Sequence, residues 1–166
     1  MTLFLIIISI VIIQRIIELI ISRNNEYYLK SISGMEYDRG GYKYIFSLHF
    51  LFFISIISEF LLFDKQLNNY WYLLILLFLI AQFLRYWAIF TLGRRWCTKI
   101  IVLPNSGPIS TGPYKYMRHP NYLAVIIEIA TIPLIFNCYY TAIIFSILNI
   151  IMLIRRIKIE DGALKY

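Results

Sequence analysis

The stretch YLAVIIEIATIPLIFNCYYTAIIFSILNIIMLI, Tyr122 to Ile154, decides how this chain is folded. A single membrane crossing needs only ~20 apolar residues, so this run is too long for one transmembrane helix. Pro133, Asn137 and Tyr139 lie near its middle, which favours a tight helical hairpin with tyrosine at the far interface. The alternative is that Pro133 only kinks one long helix.

Three further apolar runs precede this stretch in the chain: Leu3–Ile21, Tyr42–Phe63 and Tyr70–Leu92. Hydrophobic residues make up 60% of the sequence and charged residues 15%, which lies outside the usual balance of soluble domains. With the hairpin counted as two helices, we expect an all-α, polytopic integral membrane protein with about five transmembrane helices.

The lysines and arginines are distributed unevenly among the segments that join the apolar runs. Most of the 16 lie in the segment after the first run, in the segment after the third run or in the C-terminal tail. Since basic loops stay on the cytoplasmic side, we expect the N-terminus outside and the C-terminus inside, in the cell membrane. The asymmetry accounts for the net charge of +7, so we expect membrane lipid and no nucleic acid as a partner.

The connection between the third run and the hairpin, residues 93–119, is long and rich in proline. Long connections inside a compact domain commonly carry function, and prolines stiffen the backbone. Pro120 is well placed as the first residue of a helix, which would put His119 beside free backbone N–H groups that favour an anionic group. The alternative is that Arg118, His119 and Tyr122 are interface anchors of the kind that most membrane proteins have.

Two motifs flank the hairpin: GPYKYMRHPNY, Gly112 to Tyr122, and RIKIED, Arg156 to Asp161. In this order they resemble the isoprenylcysteine carboxyl methyltransferase family, integral membrane enzymes that use S-adenosylmethionine and are related to the phospholipid methyltransferases. The resemblance covers about Lys99–Leu164, with Asp161 standing where the family has a second glutamate. It implies that this protein is an S-adenosylmethionine-dependent methyltransferase.

The family resemblance also implies roles for individual residues of the two motifs. The implied cofactor-binding residues are Pro108, Ile109, Tyr114, His119, Pro120, Asn121, Tyr122 and Glu160. Arg156 would face the methyl acceptor, and Arg156 and Glu160 are the implied catalytic residues. Taken without the resemblance, these two residues stand four apart and could simply form a solvated ion pair.

Ionisable residues inside the apolar runs are costly and are often functional. Arg15 and Glu18 are spaced i,i+3 in the first run, and we expect Arg85 and Glu128 at a similar depth in the membrane. We predict that Arg15 and Glu18 bind the acceptor. An alternative of equal weight is that these charges only neutralise one another and hold the helices together. Glu36 and His49, near the start of the second run, are weaker candidates of the same sort.

The segments QRIIELIISRNN, beginning at Gln14, and GMEYDRGGYKY, beginning at Gly34, resemble a small bacterial branch of the family. That branch is associated with type III polyketide synthases and methylates the hydroxyl of long-chain alkylpyrones. The resemblance implies an O-methyltransferase for a lipid-like acceptor, an alkylpyrone, with an active site facing the cytoplasm and a functional link to such a synthase. A prenylcysteine or phospholipid acceptor is the runner-up. A small membrane transporter, with Glu18 or Glu128 as its ion site, is the alternative from another class.

We therefore expect one membrane methyltransferase domain over residues 1–166. Residues 1–92 would form the acceptor side, and residues 93–166 would form the cofactor-binding loop, the hairpin and the tail. No metal is expected, because Cys97 and Cys138 belong to no metal or redox spacing.

Overall fold

The computed structural model describes residues 1–104 and 106–164, and the fold is helical. In chain order its α-helices are α1 (Thr2–Ser31), α2 (Tyr42–Leu62), α3 (Trp71–Leu92), α4 (Pro120–Ile135) and α5 (Tyr139–Leu164). Two short strands, β1 (Met35–Tyr37) and β2 (Ile100–Val102), pair antiparallel. The helical fold class is confirmed. The strands were not predicted, because three residues are too few to show an alternating pattern.

Within residues 1–104 and 106–164, three helices are long and apolar enough to cross a membrane, namely α1, α2 and α3 together with the short turn that follows it. Helix α4 is a shorter apolar helix of 16 residues. Helices α1 and α5 run past the apolar stretches, to Ser31 and Leu164. The fold is thus consistent with a membrane protein, while the number of crossings and the orientation stay predictions.

The hairpin between α4 and α5 turns at residues 136–138. Pro133 lies inside α4 near its end, and its carbonyl accepts a hydrogen bond from the Cys138 backbone N–H at 2.9 Å. Asn137 has a φ of 56°, a left-handed conformation that asparagine tolerates better than most residues. The long apolar run therefore reverses direction here and does not continue as one kinked helix.

Aromatic rings close the end of the molecule that carries this turn, called the turn end below. Phe4 of α1 stacks on Phe60 of α2 with ring centroids 3.8 Å apart, and Phe136 meets both rings edge-on.

Fully buried Ala81 of α3 and Ala124 of α4 belong to the two helices that pack most extensively on each other. Small residues let helices approach closely in a membrane, where packing replaces the hydrophobic driving force.

A buried charge network joins α1, α3 and α4. Glu128 accepts hydrogen bonds from both Arg15 and Arg85, including one from Arg85 Nε to Oε1 at 2.7 Å. Glu18 Oε2 accepts from Arg15 Nη1 at 2.6 Å and from Arg85 Nη1 at 3.2 Å. Gln82 adds a hydrogen bond to Glu128 Oε1 at 2.7 Å. Two positive and two negative charges thus cancel in an apolar surrounding, where unpaired charges are very costly.

Replacing Glu128 by glutamine should destabilise the protein, because one glutamate would then face two buried guanidinium groups. We expect Glu128→Gln to lose about 3–5 kcal/mol of unfolding free energy, measured by denaturant unfolding in detergent micelles. The control is Arg155→Ala, which removes an exposed arginine paired with Asp38 at 3.0 Å and should cost no more than about 1 kcal/mol. Equal losses in the two variants would contradict the structural role of the network.

Candidate functional site

A cavity of about 730 Å³ lies between α1, α2, α5 and the long connection before α4. Its size is that of a small-molecule binding site. Its walls combine site residues predicted from the sequence, namely Pro108, Ile109, Tyr114, His119, Asn121, Tyr122, Arg156, Glu160, Arg15 and Glu18. Pro120 is buried as the first residue of α4 and is not among the residues that line this cavity, so its cofactor contact stays a prediction.

The connection before α4 is held in place by hydrogen bonds to neighbouring helices. The Thr98 backbone N–H donates to Ser22 Oγ at 2.9 Å, and Asn25 Nδ2 donates to the Trp96 carbonyl at 2.8 Å. Arg156 Nη2 donates to the Thr98 carbonyl at 2.5 Å. The connection is therefore tied to α1 and to α5, which gives the cavity a fixed wall.

Gly112 allows the first motif to pack closely on α3. Its φ is 56°, which favours glycine, and a Cβ atom there would come within 2.4 Å of Thr91 Oγ1. The short 3-10 helix Gly112–Lys115 that begins at this residue carries Tyr114 into the cavity wall. Burial and, second, the charge of Glu160 raise the pKa of Tyr114, so its phenol stays protonated at physiological pH.

The two sequence motifs meet where α4 begins and α5 approaches its end. The ring of His119 stacks on that of Tyr122 with centroids 5.1 Å apart and an interplanar angle of 6°. His119 Nε2 lies 3.2 Å from Asp161 Oδ1, and His119 Nδ1 lies 3.8 Å from Glu160 Oε2. The acidic residues of the second motif are thus in contact with the histidine of the first.

Tyr122 is the link between the two charged residues of α5. Its hydroxyl accepts a hydrogen bond from Arg156 Nε at 2.7 Å and donates to Glu160 Oε2. Among the residues described, Arg156 and Glu160 form no ion pair with each other, although both bind the same phenol. Arg156 is only 7% exposed, which does not agree with the alternative of a solvated ion pair.

Several lining residues were given no role by the sequence motifs. Asn149 lines the cavity on α5, seven residues before Arg156, and His49 lines it on α2. The seven-residue spacing places Asn149 on the face of α5 that carries Arg156, a signal that the sequence did contain. In contrast, nothing in the sequence marks Gln82 as a partner of Glu128, because that contact joins α3 to α4.

Residues 73–166 match the isoprenylcysteine carboxyl methyltransferase (ICMT) family. A Bacillus subtilis (strain 168) protein, "Uncharacterized protein YpbQ", is 43% identical over 162 residues, which are 98% of this chain and 96% of that protein. A Haemophilus influenzae protein, "Uncharacterized protein", is 35% identical over 95 residues, 57% of this chain and 54% of that protein. No solved structure matches this chain.

The family match spans most of α3 and all of the connection, α4 and α5, which are the segments that carry the two motifs of the cavity. More than half of the chain is covered. This protein therefore belongs to the isoprenylcysteine carboxyl methyltransferase family, and that membership indicates a membrane methyltransferase.

Proposed function

We propose that this protein is an S-adenosylmethionine-dependent O-methyltransferase that acts on a lipid-like acceptor, the hydroxyl of a long-chain alkylpyrone. The observation that carries the proposal is the cavity in which Tyr122 binds both Arg156 and Glu160. Polar groups of the two motifs line one part of this cavity, and apolar side chains of α1 and α2 line another. A charged donor and an oily acceptor can be held side by side in such a space.

The residues at the motif end of the cavity fit S-adenosylmethionine. Glu160 offers a carboxylate, and Tyr114, Tyr122 and His119 offer aromatic faces to a cation. Asn121 Oδ1 is buried and has no hydrogen-bond partner among the described residues, so it can accept from a ligand amine. These residues would hold the cofactor, which would supply an electrophilic methyl group in place of the acceptor's hydroxyl proton, and that proton would leave to water.

The chain's own residues would orient the reactants and need form no covalent intermediate. Holding two reactants in line can supply about 7–11 kcal/mol in favourable cases. The Arg156 guanidinium is fixed by its bonds to the Tyr122 hydroxyl and the Thr98 carbonyl, which suits it to position an anionic or polar acceptor oxygen. Glu160, held by the same phenol, would bind the cationic part of the cofactor.

The apolar part of the cavity supports an acceptor that comes from the bilayer. Its walls are formed by Ile12, Ile16, Leu19, Ile45, Phe50 and Phe53. The basic connecting segments favour a cytoplasmic active site in the cell membrane, and the resemblance to the alkylpyrone branch favours a functional link to a type III polyketide synthase. Prenylcysteine and phospholipid acceptors remain the runner-up, and a panel of the three acceptor types decides among them.

The buried charge network argues against the transporter alternative. Glu18 and Glu128 each accept hydrogen bonds from two guanidinium groups. A carboxylate that is neutralised in this way is a poor site for a transported proton or cation. Arg15 and Glu18 lie at the cavity wall, so their pairing and a contact with the acceptor are compatible.

Cofactor binding separates the enzyme from the transporter. We expect the purified protein to bind S-adenosylmethionine in calorimetry, and Glu160→Gln to weaken that binding at least about tenfold because a charge-assisted contact is lost. The matched control is Asp38→Asn, which changes a carboxylate paired with Arg155, and neither of these two residues lines the cavity. Absence of binding by the wild-type protein would favour the transporter.

Arg156 should be required for methyl transfer. With labelled cofactor and an alkylpyrone, we expect Arg156→Ala to lower kcat/KM about 100-fold or more, as is usual when a group that stabilises developing charge is removed. The neighbouring variant Arg155→Ala removes an exposed cation that pairs with Asp38 and should keep nearly full activity. Unchanged turnover in the Arg156 variant would show that its assigned role is wrong.

A further inference from the structure

Asn149 carries a buried hydrogen-bond donor without a partner. The residue is 2% exposed, lines the cavity, and its Nδ2 makes no hydrogen bond among the described residues. Leaving a buried amide donor unpaired costs about 1–3 kcal/mol, so native structures rarely keep one without a reason. The terminal torsion of asparagine is soft, and a small rotation can turn this amide towards the cavity. A ligand oxygen in the cavity would satisfy it.

His49 of α2 offers the complementary group in the same cavity. Its Nδ1 lies 2.9 Å from the Ile45 carbonyl oxygen, which can only accept. Nδ1 must therefore carry the hydrogen, and the neutral ring leaves a lone pair on Nε2. His49 also lines the cavity, where its neighbours on α2 are mostly apolar, including Phe50 and Phe53. The ring thus presents a hydrogen-bond acceptor to the cavity, whose wall also contains Arg15 and Arg85.

The packing of α2 on α5 brings these two residues to one level. The rings of Phe52 and Phe145 are in contact, with centroids 5.6 Å apart, and the two helices run antiparallel. One helical turn from Phe52 leads to His49, and one turn from Phe145 in the opposite chain direction leads to Asn149. Both steps go away from the turn end. His49 and Asn149 therefore lie at the same depth in the bundle.

This pair lies on the membrane side of the proposed reaction centre. Asn149 and Arg156 are two helical turns apart on α5, about 10 Å along the axis. Helical side chains lean towards the N-terminus of their helix, so Arg156 leans towards this level and His49 leans towards Arg156. Val125 and Met152 also line the cavity and offer apolar contact to a bound head group.

We propose that Asn149 and His49 form a head-group subsite for the methyl acceptor, where Asn149 donates to a carbonyl oxygen and His49 Nε2 accepts from a hydroxyl. This inference rests on the proposed function. It narrows the acceptor to amphiphiles whose head carries a hydroxyl and a carbonyl, such as hydroxypyrones, in the neutral form that dissolves in a bilayer. The subsite favours the neutral head, because His49 Nε2 can accept a hydrogen bond only from a hydroxyl that keeps its hydrogen.

The test measures binding of a long-chain alkylpyrone to the full-length protein without cofactor, in one fixed detergent, by quenching of tryptophan fluorescence. We expect Asn149→Leu and His49→Phe each to raise the Kd about tenfold, the loss of one hydrogen bond. The Kd for S-adenosylmethionine should not change. His49→Gln keeps an acceptor oxygen and should recover most of the affinity. Asn24→Leu, at an exposed position on α1, is the matched control.

A comparison of ligands tests the same subsite without any variant. The wild-type protein should bind the hydroxypyrone about tenfold more tightly than an analogue with hydrogen in place of the hydroxyl. His49→Phe should bind that analogue as the wild type does, whereas Asn149→Leu should weaken both ligands because both keep the carbonyl.

The two proposals fail in different ways. The subsite is overturned if the wild type binds the two ligands equally well, or if neither variant changes the Kd for the alkylpyrone. The proposed function still stands in that case if the wild type binds the cofactor and methylates the alkylpyrone. Loss of cofactor binding in both variants also overturns the subsite, because it places these residues at the cofactor. A wild-type protein that binds neither cofactor nor alkylpyrone overturns both proposals.

Discussion

The pairing of two arginines with two glutamates inside an apolar bundle is the constraint on which the rest of the structure depends. Arg15, Arg85, Glu18 and Glu128 come from three helices, and none of them can leave the network without exposing a charge to hydrocarbon. The network therefore fixes α1 against α3 and α4. Since Arg15, Glu18 and Arg85 also line the cavity, the same pairing sets the shape of the candidate site.

Tyr122 joins the two sequence motifs that flank the hairpin in one site. A phenol that accepts from Arg156 and donates to Glu160 fixes the geometry of both charged groups while leaving both at the cavity wall. The proline-rich connection contributes through its backbone, since the Thr98 carbonyl accepts a hydrogen bond from Nη2 of Arg156. The connection before α4 and the last turns of α5 therefore hold each other in place.

The sequence predicted the helices and most of the cavity, because both leave local signals. Apolar runs placed α2 and α3 almost to the residue, and the proline at position 120 marked the start of α4. Three features could not be predicted from the sequence. They are the β1–β2 pair, the contact between Gln82 and Glu128, and the two hydrogen bonds of the Tyr122 hydroxyl. Each joins segments far apart in the chain, and a residue's partner across such a distance leaves no periodic trace. His49 was a candidate from the sequence and Asn149 was not, and only the packing of α2 on α5 places the two at one depth.

The stacked rings of Phe4, Phe60 and Phe136 at the turn end have a consequence for turnover. The cavity reaches no nearer to those rings than Ile12 on α1 and Phe53 on α2, within the part of the chain that the structure describes. Among the described residues, the cavity is therefore closed towards the turn end. For the proposed enzyme, the methylated product would therefore have to leave on the side of the cavity away from these rings. Because methylation replaces a hydroxyl by an ether, the product would be less polar than the acceptor, which favours its return to lipid.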